Sequence, residues 1–260
     1  MRKCRGSFGW NQEQLGKRVG LSSSSISLIE TGLLKPQQDH AAALDQALEA
    51  GGRLLRTWEN YSSQGLLPPG FEKYSDLESK ALELHEYHGV LVPGLVQTPD
   101  YARALVIATQ PWATEETIDR FVRTRLERQQ AIFERSDRPL VLVVLDEDVV
   151  RRVVGDEAVM KAQLEHLIDF AEARKVRLQV VPRSVRFHPG LSGPFRIYVF
   201  DGRPTVASCE YFFDEQIIET EAQVRRCVAT FDVLQGEALP PGSSLDLVRQ
   251  VLGGLRDGTS

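Results

Sequence analysis

Ser23, Ser24 and Ser27 crowd together near the amino terminus, with Lys17, Arg18 and Lys35 on either side of them. Serine hydroxyls are short groups that donate to or accept from several base edges, and lysine and arginine neutralise phosphates, so the combination points to nucleic acid. Arg2, Lys3 and Arg5 are further candidates for phosphate contact. The reading power of one copy is low, because an arginine on guanine or a glutamine on adenine discriminates by about 1–3 kcal/mol and neither pairing is offered by serine. Enzymatic chemistry has weaker candidates. Gly190-Leu191-Ser192-Gly193 lacks the final glycine of the G-x-S-x-G elbow and follows no predicted strand directly into a helix. His85 and His88 are spaced to fall on opposite faces of a strand, which argues against shared metal ligation. His166, flanked by Leu164 and Leu167, reads as a structural residue of a helix. No catalytic residue, metal ligand or cofactor is expected, and the chain is not expected to be an enzyme. His188 opens a Gly- and Pro-rich loop that reads as a rigid turn, with a lip for a ligand or partner as the functional alternative. Asp146, Glu147 and Asp148 end a buried strand and read as helix caps.

Two short helices must hold the serines. Asn11 can cap a first one with Leu15 and Val19 inward, Gln14 stands where a capping box needs it, and Gly20 supplies the turn. Ser22 then caps a second helix with Ile26 and Ile29 inward and Ser23, Ser24, Ser27 and Leu28 outward, stopped by Gly32. A helix, a tight turn and a second helix with a polar outer face is the helix-turn-helix pattern, which presents its second helix to the major groove.

From Trp10 to Pro36 the run WNQEQLGKRVGLSSSSISLIETGLLKP, down to its Ile-Ser-x-Ile-Glu-x-Gly ending, resembles the XRE or phage-repressor-like helix-turn-helix family. The resemblance implies that Gln12 touches backbone or base and that Ser23, Ser24, Ser27 and Leu28 read bases. It also implies a longer first helix than Met1 to about Phe8 can supply, and Gly6 and Gly9 weaken that stretch.

Hydrophobic residues are 42% and charged residues 26% of 260, a globular composition long enough for one small and one medium domain. No apolar run approaches the roughly 18 residues of a membrane span, and no secretory leader is legible, so a cytoplasmic protein is expected. Cys4, Cys209 and Cys227 are scattered and read as reduced, packed thiols. Residues 1–64 hold eight Lys and Arg against six Asp and Glu, a surplus of +2 that leaves −7 of the overall −5 for residues 65–260. The small half therefore faces DNA, though +2 is feeble where affinity comes largely from phosphate neutralisation. A dimer placing two reading helices about 34 Å apart would compensate.

Asp39 to Leu48 closes the small bundle, and Arg53 to Tyr61 continues as a helix carrying Leu54, Leu55, Trp58 and Tyr61. Pro68, Pro69 and Gly70 break it, which gives a helix-turn-helix domain over 1–63, a linker over 64–75 and a second domain over 76–260. Strands are predicted at Ala81–Tyr87, Leu140–Leu145, Val176–Val181, Phe195–Phe200 and Val206–Tyr211, the last two joined as a hairpin through Asp201-Gly202-Arg203-Pro204. Helices are predicted from Pro99 to about Ile107, from Thr114 to Ser136, and over Asp156–Ala173, Glu221–Gln235 and Ser243–Leu255. The fold class is α+β: an all-α bundle with a short or truncated first helix, then helices packed on a small mixed sheet.

The segments LVPGLVQTPDYARAL, RLERQ, LVVLDEDVVRRVVG, MKAQLEHL, LQVVP and HPGLSGPF resemble the C-terminal domain of actinobacterial WhiJ-like regulators. That resemblance implies a cytoplasmic regulator of transcription, bound to double-stranded DNA and often encoded beside a small partner protein. It assigns no chemistry to the second domain. Two readings follow: a homodimeric DNA-binding regulator whose C-terminal domain takes a partner or ligand, or an antitoxin-like partner-binding protein whose degenerate helix-turn-helix no longer holds DNA.

Overall fold

A computed structural model describes residues 1–31, 34, 36–55, 71–211 and 214–255, with the backbone alone at 2–3, 71–75, 211 and 214–215. The chain folds as two units, Met1–Leu67 and Pro68–Ser260.

In the first unit α1 (Arg2–Ser7), α2 (Gln12–Val19), α3 (Ser23–Glu30) and α4 (Gln38–Ala47) surround Leu15, Val19, Ile26, Leu44 and Leu48. Burying an aliphatic side chain of this size contributes about 1.5–3 kcal/mol. The capping box forms as its residues dictate. Asn11 Oδ1 accepts from the Gln14 N–H at 2.8 Å and Gln14 Oε1 accepts from the Asn11 N–H at 2.8 Å. Gly20 ends α2 at φ 72°, the left-handed conformation that glycine adopts without strain. The short first helix forms despite Gly6, with Met1 and Cys4 packed on the core. Asp45, buried, closes the turn beyond α4 by accepting from the N–H groups of Gly52 and Leu54, both at 2.6 Å. Residues 53–55 are helical, whereas Trp58 and Tyr61 of the expected fifth helix lie outside the described residues.

The second unit is a mixed six-stranded sheet in the order β3-β2-β1-β4-β5-β6, with β1 (Glu83–His88), β2 (Leu140–Asp146), β3 (Arg177–Val181), β4 (Phe195–Val199), β5 (Val206–Tyr211) and β6 (Asp214–Ile218). β1, β2 and β3 run parallel, and β4, β5 and β6 add antiparallel pairs on the other side of β1. Parallel neighbours need helical crossovers. α6 (Pro99–Thr109) and α7 (Glu115–Phe133) join β1 to β2; α8 (Glu147–Arg151) and α9 (Glu157–Glu172) join β2 to β3. The apolar run of β2 reflects burial on both sides: Val141, Val143 and Leu145 face one core with Tyr101, Ile132, Met160, Leu164 and Val248, while Val144 faces another with Tyr87, Phe195, Phe231 and Leu234. α10 (Glu221–Glu237) and α11 (Pro241–Gly254) end the described chain.

Three elements differ from expectation. Helix α5 (Phe71–Lys80) occupies the end of the segment expected as linker, and residues 64–70 of that segment lie outside the described residues. Its polar sequence hides one buried acid: Glu78 pairs with Arg128 of α7, both buried, through two parallel hydrogen bonds. α8 and β6 were also illegible, α8 because it has only five residues and β6 because Asp214-Glu215-Gln216 breaks any apolar alternation.

Candidate nucleic-acid interface

The turn between α2 and α3 closes tightly on α2 because Gly16 has no side chain there. A Cβ at Gly16 would stand 2.3 Å from the Leu21 carbonyl oxygen, and the Leu21 N–H donates to the Gly16 carbonyl at 2.9 Å. The turn is therefore fixed by backbone contact, and α3 leaves it with its outer face defined. Ser22 takes the cap, its Oγ accepting from the Ser25 N–H at 3.0 Å and meeting Ser25 Oγ at 2.8 Å. That leaves Ser23, Ser24 and Leu28 exposed, with Leu28 at 42%, and Ser27 half-buried on the same helix.

The flanking polar residues are more committed than their types suggest. Lys17 Nζ sits 2.8 Å from Glu13 Oε1 one turn away, which raises the lysine pKa and lowers the glutamate's. Arg18 lies over the Trp10 ring, 4.1 Å from its centre, and donates to the Gln14 carbonyl at 3.1 Å. Gln12 is half-buried and its Nε2 donates to Glu30 Oε2 at 2.9 Å. Arg5, expected as a phosphate contact, instead donates Nε to Glu30 Oε1 at 2.7 Å, Nη2 to Glu30 Oε2 at 3.0 Å and Nη1 to the Trp10 carbonyl at 2.7 Å. The hydrogen bond to Glu30 outweighs burial and raises the Arg5 pKa. Lys35 and the side chains of Arg2 and Lys3 lie outside the described residues.

A helix-turn-helix domain model matches residues 1–58, and a model described as a domain of unknown function, DUF5753, matches residues 71–250, more than two thirds of the 260. The chain belongs to the DUF5753 family. No curated protein and no solved structure matches it. No helix among the described residues is long and apolar enough to cross a membrane.

Within the DUF5753 domain Asp146, the last residue of β2, stands at the N-cap of α8 and Glu147 and Asp148 in its first turn, but no side-chain cap bond forms. Asp146 makes no side-chain hydrogen bond to the start of α8; its Oδ2 accepts from Tyr87 Oη at 2.7 Å and its Oδ1 lies 3.3 Å from His188 Nε2. Burial first, and then the Asp146 carboxylate, push the Tyr87 phenol well above its ordinary pKa, so it stays a donor. Glu147 accepts from the Arg183 N–H at 2.8 Å and from Arg151 Nε at 2.6 Å, and Asp148 pairs with the Arg183 side chain. Burial alone would raise the Glu147 pKa, but these donors leave it lowered.

His85 and His88 do fall on opposite faces. His85 stacks on Phe231 with ring centres 4.9 Å apart and holds Glu83 at 2.8 Å, while His88 is buried 3.7 Å from Glu86. His166 lies against Phe170, ring centres 4.1 Å apart, and burial lowers its pKa. Ser192 ends a 3-10 turn, Pro189–Ser192, that seats Gly190 against the Tyr87 ring, beside the Tyr87–Asp146–His188 group. Among the described residues no three His, Cys, Asp or Glu are arranged to hold a metal ion.

Composition could not show that Glu86 of β1 and Arg196 of β4 form a buried pair at 2.9 Å, with Arg196 also reaching Glu210 of β5. Glu86 faces Arg196 across the ladder between β1 and β4, and register is what brings them together. Burial would raise the Glu86 pKa, yet Arg196 and His88 bring it down to about 2.

Proposed function

We propose that the protein is a sequence-specific DNA-binding regulator of transcription of the XRE type, acting in the cytoplasm as a homodimer, with its C-terminal domain, of WhiJ-like kind, binding a partner protein or ligand rather than catalysing a reaction. The observation that carries this reading is the exposed face of α3, where Ser23, Ser24 and Leu28 stand clear of the fold while Ser22 and Ser25 are spent on the cap. Hydroxyls not consumed by the helix itself are available to base edges in a major groove. The rigid 3-10 turn at Ser192, unlike a strand-to-helix elbow, supports the non-enzymatic reading of the second domain.

The cation inventory favours a second reading, in which the helix-turn-helix no longer holds DNA and the chain works only through its partner. Lys17 and Arg5 are paired with Glu13 and Glu30, and Arg18 is stacked on Trp10. A gel-shift series over salt on the gene's own promoter region separates the two. A complex whose affinity falls steeply with salt supports the regulator, and an absent shift at low salt leaves the partner-only reading. Replacing Ser23 and Ser24 by Ala tests the assigned face, since operator preference should change while the circular dichroism spectrum stays as it is.

A further inference from the structure

Four cations converge on one concavity of the second unit. A cavity of about 640 Å³ lies where β2 begins, where α9 turns into β3 and where α11 starts; Arg138, Arg174, Lys175 and Arg177 line it, and Leu140 and Leu245 give it an apolar floor. Arg174 takes a left-handed φ of 54° to make that turn. No carboxylate lines the cavity, and none of the four cations forms an ion pair among the described residues. Arg138 donates only to the Arg174 carbonyl, at 3.4 Å, and Lys175 lies over the Phe170 ring at 4.7 Å. The same part of the chain carries a net charge of −7 from residue 65 onward, so a cation-only concavity runs against its average.

Pro241, in the first turn of α11, also borders the space, and that helix has no side-chain cap at its amino end. Leu140, 53% exposed, adds apolar surface to the lining. The volume falls within the roughly 300–1,000 Å³ of small-molecule sites.

We propose that this cavity binds a small amphipathic anion, a carboxylate or phosphate ester with an apolar body: the charged group is held by Arg174, Arg177 and Arg138, and the body lies on Leu140 and Leu245. Binding is measured without DNA, so its failure and a failure of DNA binding are separate results.

The test titrates 8-anilinonaphthalene-1-sulfonate, an aromatic body bearing one sulfonate, into the full chain by fluorescence, then displaces it with octyl phosphate or octanoate below their micelle concentrations, or with octanol below its solubility limit. Saturable binding is expected, with the two anions displacing the probe at concentrations about tenfold or more below octanol's, and with Arg174→Glu/Arg177→Glu weakening the probe about tenfold or more. Both arginines are exposed, so the circular dichroism spectrum should not change. Should that variant fail to fold, Arg138→Gln/Arg177→Gln serves in its place, with the loss expected in the same direction. The proposal is overturned by an absence of saturable binding, by equal affinity in a folded variant, or by octanol displacing as well as octyl phosphate. It is overturned equally if a short DNA duplex displaces the probe where octyl phosphate does not, since the cations would then be phosphate-backbone contacts.

Discussion

Arg5 closes on Glu30 through two hydrogen bonds, Nε to Oε1 at 2.7 Å and Nη2 to Oε2 at 3.0 Å, and so ties the first helix of the bundle to the last residue of α3. The Glu30 side chain is fully buried at this contact and also receives Gln12, so one carboxylate gathers α1, α2 and the end of α3. In the sequence that glutamate looked like a motif letter, and the arginine like a phosphate contact. Their shared role is to aim α3.

Glu30→Gln removes the charge and leaves the Arg5 guanidinium half-satisfied in a largely buried place. The N-terminal unit should lose about 2 kcal/mol, the value of a hydrogen-bonded charge pair. Arg5→Lys should not rescue the contact, because an ammonium cannot make the two-pronged bond. Urea unfolding of the full chain followed by circular dichroism reads this, and an unmoved midpoint for Glu30→Gln would falsify the anchoring role.

Gly16→Ala places a methyl 2.3 Å from the Leu21 carbonyl oxygen, a backbone atom that cannot swing aside. The turn backbone at Leu21 must shift, at a cost of about 1–3 kcal/mol, and α3, which follows it, is re-aimed. Operator affinity should fall by more than the loss of stability alone explains. If the alanine variant shifts promoter DNA as the parent does, the contact between these helices does not set the reading geometry.

How much of this was legible depends on the range of the interaction. Asn11, Gln14, Gly20 and Ser22 act within one turn of their own helices, so their caps could be read from the sequence. Strand β2 was legible because burial on both faces leaves no polar position until Asp146. The interaction between Arg5 and Glu30 spans 25 residues, and that between Glu86 and Arg196 spans 110. No local pattern encodes such pairs, and for that reason the pairing of Arg5 and the buried network are not legible in the sequence. The acidic run at the end of β2 was legible in part: Asp146 takes the N-cap position with Glu147 and Asp148 in the first turn, yet Tyr87 and His188, both distant in sequence, claim the Asp146 oxygens.

Gly190→Ala and Tyr87→Phe should each damage the loop, and the two losses should be coupled. An added Cβ would lie 2.2 Å from Tyr87 Cζ, and the ring is pinned at its hydroxyl by Asp146. Overpacking against a fixed ring costs about 1–3 kcal/mol, and losing a phenol hydrogen bond to a carboxylate costs about 1.5–3 kcal/mol. In the double variant Tyr87→Phe/Gly190→Ala the ring is unpinned and part of the penalty should return. Simple additivity of the two losses in thermal unfolding would mean that the hydroxyl bond does not hold the ring in place.

Glu86 sets an acid limit on the second unit. Its pKa falls from an ordinary value of 4.5 to about 2 in the folded chain, since Arg196 and His88 favour the charged form more than burial disfavours it. A carboxylate with a depressed folded pKa lends stability that is complete above its unfolded pKa and disappears as pH falls through the folded one. The parent should therefore lose stability between about pH 4.5 and 2, with Glu86 a contributor. Glu86→Gln should be less stable at pH 7 by about 3 kcal/mol, because Arg196 stays buried with one carboxylate fewer. Its stability should then fall less steeply with acid, so the two urea midpoints converge as pH approaches the folded pKa. Parallel losses in parent and variant from pH 7 to pH 3 would show that the charge of Glu86 contributes nothing to the acid response.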